Sequence, residues 1–175
     1  MSNEQLMVAK GIHDGLRALI VDFYAKLSLI KESCFAQYSP EELLFVEPLR
    51  FVVYVSGGKI SATELNIINY VTGRYLSLSE VNNLIDEAEC YYLDPTPQVP
   101  DLIKILQAID TIAFCYGKTA DLSAIATGVS YFGMIGRLIA SSDSTFTEEK
   151  KAKINTYMDK IIEYAEERGS ASYLR

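Results

Sequence analysis

Apolar residues recur at three- and four-residue intervals along most of the chain, the spacing of one helical face. In residues 3–33 the series Leu6, Val8, Ile12, Leu16, Leu19, Ile20, Phe23, Leu27 and Ile30 predicts one long helix. Gly11 and Gly15 weaken its first half. Ser39-Pro40-Glu41-Glu42 reads as a helix start: Ser39 caps, Pro40 suits the first helical position, and Glu42 stands three residues after the cap. A strongly apolar stretch from Leu43 to Val55 follows, and Pro48 inside it is expected to break or kink the helix. Ser56-Gly57-Gly58-Lys59 is a turn. Ser61 with Glu64, and Ser77 with Glu80, form two more capping boxes, the second opening a helix that runs to about Tyr92.

Asp94 to Pro100 holds three prolines and predicts an extended connector. It divides the chain into residues 1–93, a linker at 94–100, and residues 101–175. Beyond it the pattern predicts a helix from Pro100 to about Tyr116, stopped by Gly117, and a second over 120–141. Ala126, Ser130, Gly133, Gly136 and Ala140 give that second helix a small-residue side that permits close backbone approach. The last helix, about Glu148 to Glu167, carries Ile154, Tyr157, Met158, Ile161 and Ala165 as its stripe. The best strand candidate, Val52 to Val55, lies in a helical context. The expected fold is therefore all-α, a single domain of seven or so helices.

Sliding the chain against itself by 86 residues brings Leu49, Val52 and Val53 onto Ile135, Leu138 and Ile139. It also brings Ser56 onto Ser142, Ile60-Ser61 onto Phe146-Thr147, and Ile68-Asn69 onto Ile154-Asn155. Each half reads apolar helix, turn, apolar residue, hydroxyl N-cap, helix. The shared order predicts two related helical hairpins packed about a pseudo-twofold axis.

Charge narrows the function. The chain has 16 Lys and Arg against 23 Asp and Glu, a net charge of −7. A general nucleic-acid binder would show a basic footprint. The imbalance is local: residues 75–103 hold Glu80, Asp86, Glu87, Glu89, Asp94 and Asp101 with no Lys or Arg. This stretch is either a solvated helix face or an acidic docking surface for a basic protein partner, built from Glu80, Asp86, Glu87, Glu89 and Asp94. The run from Leu122 to Gly136 has no charge, but it falls short of the ~20 residues that span a bilayer. It reads as a buried core helix, without stable membrane insertion. The first 16 residues lack a secretory pattern, and Cys34, Cys90 and Cys115 form neither CxxC nor an even set. A reduced, cytoplasmic setting is expected, with a homo-oligomer open.

No complete catalytic motif occurs, and nothing nominates a nucleophile and base. His13, the one histidine, sits among polar residues and reads as a surface side chain. Cys115, between Phe114 and Tyr116, reads as inert core. Asp110, in a largely apolar helix, reads as a buried hydrogen-bond anchor rather than a ligand. The first turn has partial EF-hand spacing, with Gly58, Ile60 and Glu64 in place. Val53, Val55 and Gly57 stand where oxygen ligands are needed, so EF-hand calcium binding is not expected. Glu64 itself reads first as the acid of its capping box.

The two turns resemble those of the TerB-like family, named for tellurite-resistance protein B. Its members carry Ala-Asp-Gly-x-Ile/Val-Ser/Thr followed by Glu, usually twice. The copies here are Ser56-Gly57-Gly58-Lys59-Ile60-Ser61 with Glu64, and Ser142-Asp143-Ser144-Thr145-Phe146-Thr147 with Glu148 and Glu149. The similarity spans about residues 45–165 and includes the proline connector and Asp110. The resemblance implies an all-helical fold in pseudo-twofold halves. It also implies turn acids proposed to bind metal, and a link to stress and tellurite resistance. Here Gly57 replaces the first turn's Asp, and Lys150 stands where the second copy expects its acid. The expectation is a non-enzymatic interaction or scaffold module in a stress-response or defence-type system, with an unidentified protein partner and no cofactor. The alternatives are a divalent-cation binder or sensor using Asp143, Glu64, Glu148 and Glu149, and an enzyme whose acids include Asp110.

Overall fold

The computed structural model of the chain describes residues 3–27, 39–87, 98–115, 123–142 and 146–167. These residues form seven helices: α1 (Asn3–Leu27), α2 (Pro40–Ser56), α3 (Ala62–Thr72), α4 (Leu78–Glu87), α5 (Asp101–Cys115), α6 (Ala124–Ser142) and α7 (Glu148–Glu167). There is no strand among them, and Val52 to Val55 lies inside α2. The fold class is all-α.

Local chemistry sets the boundaries. At α2 the Ser39 hydroxyl accepts from the Glu42 amide and the Glu42 carboxylate accepts from the Ser39 amide. Ser61 and Glu64 repeat this at α3, and Ser77 and Glu80 at α4. Each box satisfies amides that a helix leaves without internal partners. Gly57 ends α2 in the left-handed region (φ 75°) and Gly58 follows at φ 100°, a pair of conformations that favours glycine. Of the break or kink expected at Pro48, the break does not occur: α2 continues through it from Pro40 to Ser56. The missing amide removes one hydrogen bond, while Leu43, Leu44, Leu49, Phe51, Val52, Val53 and Val55 are all buried on either side. Burial of that many apolar side chains, at roughly 1.5–3 kcal/mol each, outweighs the loss.

α6 lies at the centre, packed by α1, α2, α3, α5 and α7. By length and composition it could cross a membrane, yet Ile125, Tyr131, Phe132, Ile135, Leu138 and Ile139 are fully enclosed by those neighbours. Phe51, Phe132 and Tyr157 stack where α2, α6 and α7 meet, with ring centroids 4.7–5.8 Å apart. Among the helix contacts, α2 packs on α7 and α3 packs on α6. Leu49, Val52 and Val53 are buried, and so are Ile135, Leu138 and Ile139 at the 86-residue offset.

Among the glycines of α6 the closest approach is at Gly128, outside the small-residue side expected from sequence, while Gly136 on that side also lies close, with Ile154 Cγ2 3.0 Å from where its Cβ would stand. A Cβ at Gly128 would lie 2.5 Å from Leu106 Cδ1 and 2.9 Å from Ile103 Cδ1. Both neighbours are fully buried and cannot swing into solvent. Gly11, on the exposed side of α1, has nothing within 4 Å. Gly128→Ala should therefore destabilise by about 1 kcal/mol, overpacking exceeding the gain in helix propensity. Gly11→Ala should stabilise by roughly 0.5–1 kcal/mol. Urea unfolding of the two variants checks the opposite signs.

Candidate functional site

The turn between α2 and α3 delivers Glu64 into the core at 1% exposure. A buried carboxylate must find donors or lose its charge. Glu64 finds them on three elements. The Ser56 hydroxyl, at the end of α2, donates to Oε1 at 2.6 Å. The Ser61 amide, at the N-cap of α3, donates to Oε2 at 2.7 Å. The Lys150 ammonium, in the first turn of α7, donates to Oε1 at 3.2 Å. Burial pushes the Glu64 carboxyl up, but the Ser56, Ser61 and Lys150 donors outweigh it and hold the group below the ordinary carboxylate value. It is an ionised carboxylate at neutral pH, with a cation already on it.

Glu64 and Lys150 are 86 residues apart, the offset at which the two halves align. Their caps correspond as well: Ser61 Oγ accepts from the Glu64 amide at 3.2 Å, and Thr147 Oγ1 from the Lys150 amide at 3.2 Å. The turn also lies close to α7, since a Cβ at Gly57 would be 3.5 Å from Lys153 Nζ. Two positions 86 residues apart thus meet as acid and base.

Of the remaining candidate ligands, Glu148 and Glu149 do not join Glu64. Glu148, 91% exposed, pairs with Lys151 at 3.5 Å, and Glu149 pairs with Lys153 at 3.0 Å. Asp143 lies outside the described residues. Among the described residues no group of three His, Cys, Asp or Glu side chains has the geometry to hold a metal ion. Asp110, half-buried on α5, caps the start of α6: it accepts from the Ala124 amide at 2.8 Å, the Ile125 amide at 3.0 Å and the Ser123 hydroxyl. Of the acidic stretch, Glu80 is held by Ser77, while Asp86 and Glu87 stand exposed on the outer face of α4 opposite buried Val81 and Ile85. Glu89 and Asp94 lie outside the described residues.

Two sequence readings are corrected. His13 is not a surface residue: it is 4% exposed. It falls in phase with Ala9, Leu16, Ile20 and Phe23, the stripe that α1 buries, whereas Val8 and Leu19 face out. Its ring lies 5.9 Å from that of Tyr131, and neither His13 Nδ1 nor the Tyr131 hydroxyl has a hydrogen-bond partner among the described residues. Cys115 is not core: it is exposed at the end of α5, past the buried run Leu102 to Leu106.

Glu47 was not flagged by the sequence. It is 1% exposed, and its Oε1 accepts from the Asp101 amide and from Arg50, both at 3.3 Å. Burial pushes its carboxyl up, with the Arg50 charge opposing. The available signal was its phase with Leu43 and Leu44 on the buried side of α2.

Comparison of the chain with protein-family models, with curated proteins and with solved structures gives no match.

Acid titration tests the environment of His13. Burial depresses the ring to about 4 from 6.5, so the unfolded chain takes up its proton first. Stability present above pH 6.5 is lost as pH falls toward 4, by about 3 kcal/mol at the limit. Glu47, raised by burial, contributes with the opposite sign, favouring the native state as pH falls through its folded value. The difference between wild type and His13→Leu isolates the histidine. In urea unfolding from pH 7 to 4.5 the wild type should lose stability relative to the variant, and a constant difference would contradict the assignment.

Proposed function

We propose that the chain is a non-enzymatic, TerB-like interaction module, built from two related hairpins, in which a lysine has taken over the place of a shared cation. The observation that carries this reading is the Glu64–Lys150 contact. Among the described residues, the turn acid that lies in the core, Glu64, is neutralised by the residue 86 positions on. A divalent ion competing for Glu64 would meet the Lys150 ammonium at contact distance and a carboxylate whose oxygens already accept from Ser56 and Ser61. That favours a scaffold over a metal carrier. A pair of this kind also fixes how two hairpins sit on each other, which suits a protein whose work is to present surfaces.

The surface best suited to presentation is α4, where Asp86 and Glu87 are exposed in a stretch without a basic residue. A basic protein partner fits it by charge. The setting proposed is cytoplasmic, within a stress-response or defence-type system.

Thermal melts with millimolar magnesium, calcium, manganese and zinc distinguish scaffold from metal carrier. The wild type should not shift. Lys150→Glu, which places a second carboxylate against Glu64, should melt lower in chelator and recover with a divalent cation, because ligand binding to the native state raises stability by mass action. A cation shift in the wild type that Glu64→Gln abolishes would favour the metal carrier instead. For the partner, Asp86→Asn, Glu87→Gln and Glu89→Gln together should weaken salt-sensitive capture of a basic protein from native lysate without lowering the melting temperature. Equal capture by wild type and variant would remove α4 from the reading.

A further inference from the structure

Away from the Glu64–Lys150 contact, α1, the start of α2 and the end of α3 enclose a cleft of about 460 Å³. That is within the roughly 300–1,000 Å³ range of small-molecule sites. We infer that this cleft binds a small organic acid, its carboxylate or phosphate held by Arg74 and its apolar body laid on Phe45 and Leu44.

The helical repeat builds one wall. Lys10, His13, Asp14 and Arg17 stand at i, i+3, i+4 and i+7 on α1 and all line the cleft. Most of the charge there is already paired, with Lys10 to Asp14 at 3.2 Å and Arg17 to Glu41 at 3.3 Å. Arg74 is the exception. Its guanidinium sits 5.3 Å from the centre of the Phe45 ring, and among the described residues it makes no direct ion pair, although its charge reaches the exposed Glu42 carboxylate. The stacking orients a planar fork of donors suited to a carboxylate or phosphate. Three basic groups face two acidic ones in the cleft, in a chain whose overall charge is −7. Arg74 directly follows the end of α3, so its charge also offsets the partial negative charge of that helix terminus.

The second observation is at the floor. His13 is 96% buried, lines the cleft, and has Nδ1 without a hydrogen-bond partner, the Asp14 carboxylate standing off at 3.6 Å. A buried polar atom in a folded protein nearly always has a partner, and one without calls for a specific explanation. A bound acid carrying a hydroxyl or a second oxygen would supply it. The ring is neutral at physiological pH, so it hydrogen-bonds the ligand without adding charge.

The chain's single histidine makes the test direct, because one ring gives one signal. The probe is 2-hydroxybenzoate, with 2-hydroxybenzamide as its uncharged counterpart, followed at constant ionic strength by the ¹H–¹³C correlation of the His13 ring. The acid should shift the signal saturably. The amide should bind about tenfold more weakly, as should the acid to Arg74→Ala, the loss expected for one charge-assisted hydrogen bond. Arg74 is exposed, so the variant should fold. No saturable shift with the acid would overturn the inference. Equal shifts from acid and amide, or an undiminished affinity in Arg74→Ala, would equally overturn it. The outcome is independent of the cation melts, which report on Glu64 at the other end of α3.

Discussion

A carboxylate at 1% exposure imposes conditions on everything around it. Glu64 can stay ionised in the core only while donors surround it. Those donors come from the end of α2, the cap of α3 and the first turn of α7. The Gly57–Gly58 turn must therefore bring α3 back against α2 in one register, and α7 must begin where Lys150 can reach in. The Phe51, Phe132 and Tyr157 rings then fill the junction of α2, α6 and α7. Removing either charge leaves the other enclosed without its counter-ion, and such losses typically cost about 3–5 kcal/mol.

The same economy governs the other acids. Glu42, Glu64 and Glu80 close capping boxes at α2, α3 and α4. Asp110 reaches across from α5 to cap α6, and Glu47 reaches from α2 to the first amide of α5. Five helix starts thus receive a carboxylate, where amide donors and the positive end of the helix dipole favour it. In this acidic chain, carboxylates that could be taken for metal ligands hold helices in place. Asp86 and Glu87 are different because they lie away from any helix start and stay exposed on α4.

The local part of this was legible in the sequence. A capping box needs residues three apart, so Ser39, Ser61 and Ser77 with their glutamates marked helix starts directly. The 86-residue offset also named the two positions that meet, though not that they meet as a pair. The caps given by Asp110 and Glu47 join residues 14 and 54 apart, and no local spacing encodes them. His13 was misplaced for a related reason. Lys10 and Asp14 beside it point outward, but its neighbours in space are set by the phase of Ala9, Leu16 and Ile20. Pro48 shows the reverse case, a strong local signal overridden by burial on both sides of it.

The claim on which the account turns is that Glu64 and Lys150 act as one coupled pair across the hairpins. A double-mutant cycle measures this directly, with unfolding free energies for Glu64→Gln, Lys150→Met and the double variant at pH 7. The account predicts that the double variant is less destabilised than the sum of the singles, by about 2 kcal/mol. Additivity within about 0.5 kcal/mol would mean that the two charges do not depend on each other, and would contradict the central role given to their contact.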